Sequence, residues 1–231
     1  MSRFYGIINT IRGGDDVLFN VHIYILGILT RKVMANVKFD KDTHTYTIAD
    51  EAYPSVTEIC EPISFKKLDA LSKQILDNAA RRGAKVHEAI SEFVLTDEYD
   101  IEEMESDLIP YFAAFIEWWN TYRPITLFSE FILGDANLGY CGTCDFIGRV
   151  DGKTVLIDFK TTSSVDVKYL AVQLAGYKRL LDARGINIDE AYVLHLKKTG
   201  AYSYRKIEPD YEWFDILQAH NKKMRCKNGR K

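Results

Sequence analysis

A chain of 231 residues that is 47% apolar and 27% charged is ordinary globular material, long enough to bury a core without disulfides or a structural metal. Its 30 basic and 33 acidic residues leave a formal charge of -3, which excludes a protein that coats nucleic acid by bulk positive charge but still allows a local basic site. Four cysteines in such a chain read as reduced thiols.

The most apolar stretch, Val17 to Leu29, is shorter than the ~20 residues that cross a bilayer. Asp15 and Asp16 precede it where a secretory signal carries basic residues, so neither a membrane span nor secretion is expected and the setting reads as cytoplasmic. Residues 1–33 are taken as an extension outside the fold, and residues 34–231 as one domain. Val37 to Asp40 and Thr43 to Ile48 alternate apolar and polar side chains around the turn formers Asp40 and Asp42, the pattern of a hairpin. Pro54-Ser-Val-Thr57 starts a helix whose apolar positions Leu68, Leu71, Ile75 and Leu76 recur up to Asn78. A second helix runs from about Ala79 to Leu95. Glycine inside a helix costs roughly 1 kcal/mol relative to alanine, so Gly83 implies that something approaches the backbone closely there. The acidic run from Asp97 to Asp107 reads as a solvated loop. Ser106 to Tyr122 is a third helix, ended by Pro124, whose aromatic stripe of Tyr111, Phe112, Phe115, Trp118 and Trp119 has the spacing of a buried face.

From Leu127 the period changes to two, giving strands Leu127 to Leu133, Leu138 to Val150 and Thr154 to Thr161. A helix from Val167 to Arg184 follows, with Gly185 as its C-cap. Ala191 to Leu196 and Ala201 to Ile207 form a last hairpin, and a terminal helix starts near Asp210. This order describes a mixed α/β domain built on one sheet. Basic residues gather at Lys66, Lys67, Lys73, Arg81, Arg82 and Lys85, and again at Lys222, Lys223, Arg225, Lys227, Arg230 and Lys231. They read equally as a phosphate path or as solvated helix faces.

The chemistry concentrates in Cys144-Asp-Phe-Ile-Gly-Arg-Val-Asp151-Gly152-Lys-Thr-Val-Leu-Ile-Asp158-Phe-Lys160-Thr161. Asp-Gly between two β-rich runs marks a two-residue type I′ turn, which requires positive φ at both positions. Counting outward from Val150 and Lys153 then brings Asp145 opposite Asp158. Residues facing each other in an antiparallel pair have Cβ atoms about 5 Å apart, where two like charges destabilise the sheet. A divalent cation removes the conflict, because one or two carboxylates are the usual protein share of a Mg²⁺ site. Strand alternation puts Lys160 on the face of Asp158, with Ile157 and Phe159 turned to the core. Two carboxylates, a cation and an ammonium suit phosphodiester hydrolysis.

These residues resemble the PD-(D/E)xK nuclease superfamily, and within it the RecB-type branch that includes phage recombination exonucleases. The likeness covers most of residues 34–231: Asp145 stands as the first acid and Asp158-Phe159-Lys160 as the (D/E)xK. Gly83-Ala-Lys-Val-His87-Glu fits the upstream helix whose histidine ligates metal in that branch, Glu130 matches the glutamate on the preceding strand, and Gln173 and Tyr177 match its Gln-x-x-x-Tyr. Cys144 stands where the superfamily usually has proline. The resemblance implies a restriction-endonuclease-like core, a mixed central sheet with an antiparallel catalytic meander flanked by helices. It also implies a Mg²⁺- or Mn²⁺-dependent DNA nuclease, an exonuclease acting on ends or single strands in phage-like recombination, repair or replication. Asp145, Asp158, His87 and the Phe159 carbonyl would hold the metal, Lys160 and Glu130 would assist catalysis, and Gln173, Tyr177 and Thr161 would meet substrate. DNA is the expected partner, with a recombination or replication protein beside it and host cytoplasm as the setting if a phage encodes it. Some relatives carry an iron-sulfur cluster on one upstream and three C-terminal cysteines, but only Cys226 is C-terminal here, so none is expected. Two rival readings are a non-catalytic DNA-end-binding or docking subunit and a glycosidase using two carboxylates; Lys160 beside the acids speaks against the second.

Overall fold

The computed structural model describes residues 37–64 and 70–227, and the side chains of these except 70–73 and 76. The extension at 1–33, the domain start at Met34 and the basic residues Lys66, Lys67, Arg230 and Lys231 lie outside the described residues, as does Leu68.

Local turn chemistry sets the sheet. Asp151 and Gly152 adopt φ of 50° and 78°, the double positive φ that a two-residue hairpin loop demands. The strands they join, β5 (Tyr140–Val150) and β6 (Lys153–Lys160), pair from Val150↔Lys153 to Phe146↔Ile157 in the register counted from the turn. Strand β4 (Ile125–Asp135) reaches β5 through a tight turn in which Asp135 Oδ1 accepts from the N–H groups of Asn137 and Leu138. The chain leaves β6 through a helix and returns as β7 (Glu190–Leu196), parallel to β6, before β8 (Tyr202–Lys206) closes the order β4-β5-β6-β7-β8. The result is a mixed five-stranded sheet between helices.

The opening hairpin gains a third strand that period-two reading missed. Strands β1 (Val37–Asp40), β2 (Thr45–Ile48) and β3 (Glu51–Tyr53) form a separate antiparallel sheet. β3 is only three residues long and lacks an alternating pattern, which explains why it went unseen. Helix α1 (Val56–Cys60) then starts with a capping box, Ser55 Oγ accepting from Glu58 N at 3.0 Å while Glu58 Oε2 accepts from Ser55 N at 2.6 Å.

Helix α2 (Ala70–Thr96) corrects the expected break at Asn78. It is one rod of 27 residues, because neither Asn78 nor Ala79 interrupts a helix and the Asn78 side chain is engaged by Arg81 one turn on. Helix α3 (Ile109–Tyr122) ends with Arg123 at φ 44° before Pro124, and α4 (Val167–Ala183) is capped at its start by Asp166 and followed by Gly185 at φ 71°. Helix α5 (Tyr211–Lys227) completes the chain. Two apolar layers result: α2 and α3 bury Val86, Ile90, Phe112, Phe115 and Trp118 against one sheet face, while α1, α4 and α5 bury Ile59, Leu174, Leu181 and Phe214 against the other. The aromatic stripe of α3 is thus core, with Trp118 fully buried. No helix among the described residues is long and apolar enough to cross a membrane.

Candidate metal centre

The ladder between β5 and β6 stops at Phe146↔Ile157, one pair short of Asp145 and Asp158. Beyond it the N–H of Phe159 donates to Asp145 Oδ2 at 2.7 Å, so a side chain takes the place of a backbone partner. Strand β6 continues against β7 alone as far as Lys160↔His195. The two strands part where their carboxylates begin.

Glu130 reaches this point through a bulge. Pairing of β4 with β5 slips by one residue between Thr126 and Phe128; before the slip the register would set Ser129 against Asp145, and after it the flanking pairs Ser129↔Phe146 and Phe131↔Cys144 bring Glu130 there instead. Glu130 itself sits at φ 47°, the left-handed region that costs a non-glycine residue of order 1 kcal/mol or more. The neighbouring pair of rings, Phe128 and Phe131, stacks at 4.1 Å on either side of it in sequence.

Helix α2 supplies the third group. His87 Nδ1 lies 3.5 Å from Asp145 Oδ1 and 3.7 Å from Glu130 Oε1, and its Nε2 lies 3.2 Å from the Phe159 carbonyl oxygen. One ligand atom from each of His87, Glu130 and Asp145 falls within 4.8 Å of the others. The helix comes this close because Gly83, one turn earlier, lies against Thr161: a Cβ there would stand 3.2 Å from Thr161 Oγ1. This is the close approach that a mid-helix glycine implied.

On β6, Lys160 Nζ stands 2.5 Å from Asp158 Oδ2. The contact is a close charge pair that occupies this buried oxygen with the lysine ammonium. Ile157 and Phe159 point into the core, as alternation requires.

Electrostatics couple all of these groups. Burial works against a charged His87, yet Asp145 and Glu130 outweigh it and raise the ring to about 10. Burial, opposed by Lys160 and reinforced by Asp145, pushes Asp158 up to about 6. For Asp145 the burial cost is overcome by His87 and Lys160, and its carboxyl falls below the usual range. Lys160 is raised, because Asp158 and Asp145 outweigh its burial. The positive charges of His87 and Lys160 thus both favour the ionised acids. Hard carboxylate oxygens of Glu130 and Asp145 and one imidazole nitrogen of His87, with the buried Asp158 carboxylate beside them, are the donor set that a divalent cation takes. The residues present fit such an ion.

This grouping differs in detail from the sequence expectation. Glu130, expected as a supporting catalytic group, stands among the candidate ligands. Asp158 lies beside that trio, engaged with Lys160, and the Phe159 carbonyl faces His87 Nε2. Nothing short of the three-dimensional register could have shown Glu130 opposite Asp145, since the bulge has no residue signature.

Gln173 and Tyr177 share a buried face of α4. Gln173 Nε2 donates weakly to Thr57 Oγ1 at 3.4 Å, and its buried Oε1 has no partner. The Tyr177 ring packs on Gly142, where a Cβ would come within 2.7 Å. Burial first, and then Cys144, Asp145 and Asp158, hold its hydroxyl firmly protonated. Of the basic residues, Lys85 pairs with Glu105, Arg82 lies over the Tyr111 ring and Arg225 donates to the Ala52 carbonyl, so these three serve local contacts. Cys60, Cys141 and Cys144 are buried thiols and Cys226 is exposed. Burial raises the first two to about 12, which makes them poor nucleophiles.

No family model matches this chain, and no curated protein matches it. Among solved structures, the chain is similar to SSO0001, at 16% identity over 73% of this chain and 83% of that one, with a TM-score of 0.34. It is also similar to LHK-Exo in complex with dAMP, at 14% identity over 77% and 93% of the two chains, with a TM-score of 0.32. Scores this low do not establish a shared fold, and function has to be read from the side chains that meet at the parted strands.

Proposed function

We propose that this chain is a metal-dependent deoxyribonuclease of the PD-(D/E)xK type with a restriction-endonuclease-like core, an exonuclease that works on DNA ends or single strands. One observation carries the reading: His87, Glu130 and Asp145 converge from a helix and two strands, beside an Asp158–Lys160 pair on the third. A structural role does not explain the assembly of three acids at the point where the β5–β6 ladder ends.

In this reading His87, Glu130, Asp145 and Asp158 hold Mg²⁺ or Mn²⁺, which when bound polarises a phosphoryl oxygen and makes water a better nucleophile. The protein's own groups do the rest. Asp158 fixes the Lys160 ammonium, which orients the attacking water and offsets the negative charge that builds on phosphorus as the new P–O bond forms and the bond to the leaving oxygen breaks. Asp145 ties its strand to Phe159 and so sets the spacing of the two acids. In this reading Gln173, whose buried amide oxygen has no hydrogen-bond partner, and Thr161, beside the helix that carries His87, meet substrate, and Tyr177 supports β5 by packing on Gly142. DNA is the partner, in recombination, repair or replication, and the cytoplasm is the setting.

End-labelled single- and double-stranded oligonucleotides incubated with Mg²⁺, with Mn²⁺ and with chelator test this. Cation-dependent degradation is expected, and Asp158→Ala and Lys160→Ala should each abolish it in a protein that still folds. Retention of full rate by both variants would falsify the assignment. Tight DNA binding without cleavage would point to an end-binding subunit instead.

A further inference from the structure

Contacts with the large sheet and with helix α2 turn the end of the small sheet toward the acids. Val37 and Ile48 crowd Gly134, where a Cβ would lie 3.1 and 3.2 Å from their methyl groups. One step along, the Tyr46 hydroxyl bonds Thr143 Oγ1 at 2.8 Å. Beyond the strands, Lys41 Nζ lies 3.8 Å from Oε1 of Glu88, the residue after His87. Thr143 and Asp145 share a face of β5, two residues or about 7 Å apart. As β2 runs back from Ile48 to Tyr46 its contacts move along β5 from the Gly134–Cys141 pair to Thr143, toward Asp145, and Lys41 in the turn beyond reaches Glu88 beside His87.

That turn is aromatic. Phe39 stacks on Tyr46 with centroids 4.4 Å apart and planes at 26°, and His44 stands edge-on to both rings at 5.1 and 6.1 Å. Tyr46 is buried, whereas Phe39 is half-buried and His44 exposed. Among the described residues no hydrogen bond or ion pair claims the His44 ring, and its backbone is held at φ 52°. The cations nearby are already matched: Lys38 pairs with Asp50 at 2.9 Å, and Lys41 faces Glu88. Such a rim offers flat π surface rather than spare positive charge, and so suits a base better than a phosphate.

We propose that Phe39 and His44 form a stacking subsite for an unpaired nucleobase next to the phosphate held at the acid cluster. The inference rests on the nuclease reading and sharpens it: a base inside a duplex is already stacked on its neighbours, so this subsite selects a single-stranded end. Because every base has a π face, the selection is for strand state and not for sequence.

Anisotropy titrations of labelled single strands, with Ca²⁺ replacing Mg²⁺, test it by comparing an intact oligonucleotide with an abasic one of equal length. The native protein should bind the intact strand about tenfold more tightly, the order of one base stacked on aromatic side chains. Phe39→Leu with His44→Asn should bring that ratio near one and leave abasic affinity unchanged; leucine still covers Tyr46, and asparagine accepts the left-handed backbone. Phe39→Trp should restore the preference, and His44→Asn alone, at an exposed position, should reduce it. A ratio near one in the native protein, or a ratio unmoved by the double variant, overturns the subsite while leaving the nuclease intact. A native protein that neither binds these strands nor degrades DNA with Mg²⁺ overturns the nuclease reading, and the subsite with it.

Discussion

The two ends of the β5–β6 hairpin are built on opposite terms. Near the turn, five consecutive backbone pairs run without a fault, and Phe146, Ile147, Leu156 and Ile157 are all buried between the helical layers. At the far end the pairing ceases, an aspartate carboxylate accepts the next N–H, and acids, a lysine and a histidine crowd together. The comparison separates stability from chemistry along about fifteen residues. Apolar burial favours the regular end, whereas at the open end β5 and β6 lose their mutual backbone bonds, keeping those to β4 and β7, and ionisable side chains fill the gap.

Substitutions at the two ends should therefore fail in different assays. Phe146→Ala empties a fully buried site against Trp118 and Phe159, and chemical denaturation should register a loss of about 3–5 kcal/mol. Lys160→Ala, three strand positions beyond the end of the β5–β6 ladder at Ile157, should leave the melting temperature close to native and lower turnover by about 10³-fold, the scale of losing one preorganised charge donor. Comparable effects of both variants on both measurements would dissolve the distinction.

The open end should also respond to pH alone. His87 is raised from 6.5 to about 10, so its contribution to stability is fully present below pH 6.5 and is lost as pH rises through 10. Asp158, raised from 3.8 to about 6, works in the same direction: its contribution is complete below 3.8 and gone above 6. Melting curves of metal-free protein should thus slope downward between pH 3.8 and about 10, while below that range the lowered Asp145 acts in the opposite sense, and His87→Gln should flatten the upper limb. Mn²⁺ should protect more strongly at high pH, because binding displaces the His87 proton. A metal-induced shift that does not vary with pH would count against His87 as a ligand. The smallest effect is expected at Gly83→Ala. Its helix propensity gain of about 1 kcal/mol is opposed by the contact with Thr161 Oγ1, so stability should hardly move while kcat falls severalfold as α2 is pushed off the sheet.

Much of this was legible in the chain because it is local. Asp151-Gly152 specified the turn and hence the pairing of everything up to Phe146; Gly185 ended its helix; the stripe on α3 declared a buried face. What escaped depends on contacts distant in sequence or on backbone shape. The slip that aims Glu130 follows from how β4 lies on β5, and the end of the ladder follows from one carboxylate competing for an amide. Asn78 looked like a boundary only because the run of helically spaced apolar residues ends there, and no steric rule stops a helix at that residue. The aromatic turn of the small sheet was read as a hairpin and nothing more, since its nearness to the acids arises from how two sheets dock.

The left-handed backbone at Glu130 has an evolutionary corollary. A single exchange to glycine would relax the chain and delete the carboxylate at once, so drift toward a silent copy gains folding stability at that position rather than losing it. Descendants of this domain released from selection for turnover should shed this acid early, and an intact glutamate there would identify lineages in which hydrolysis is still being maintained.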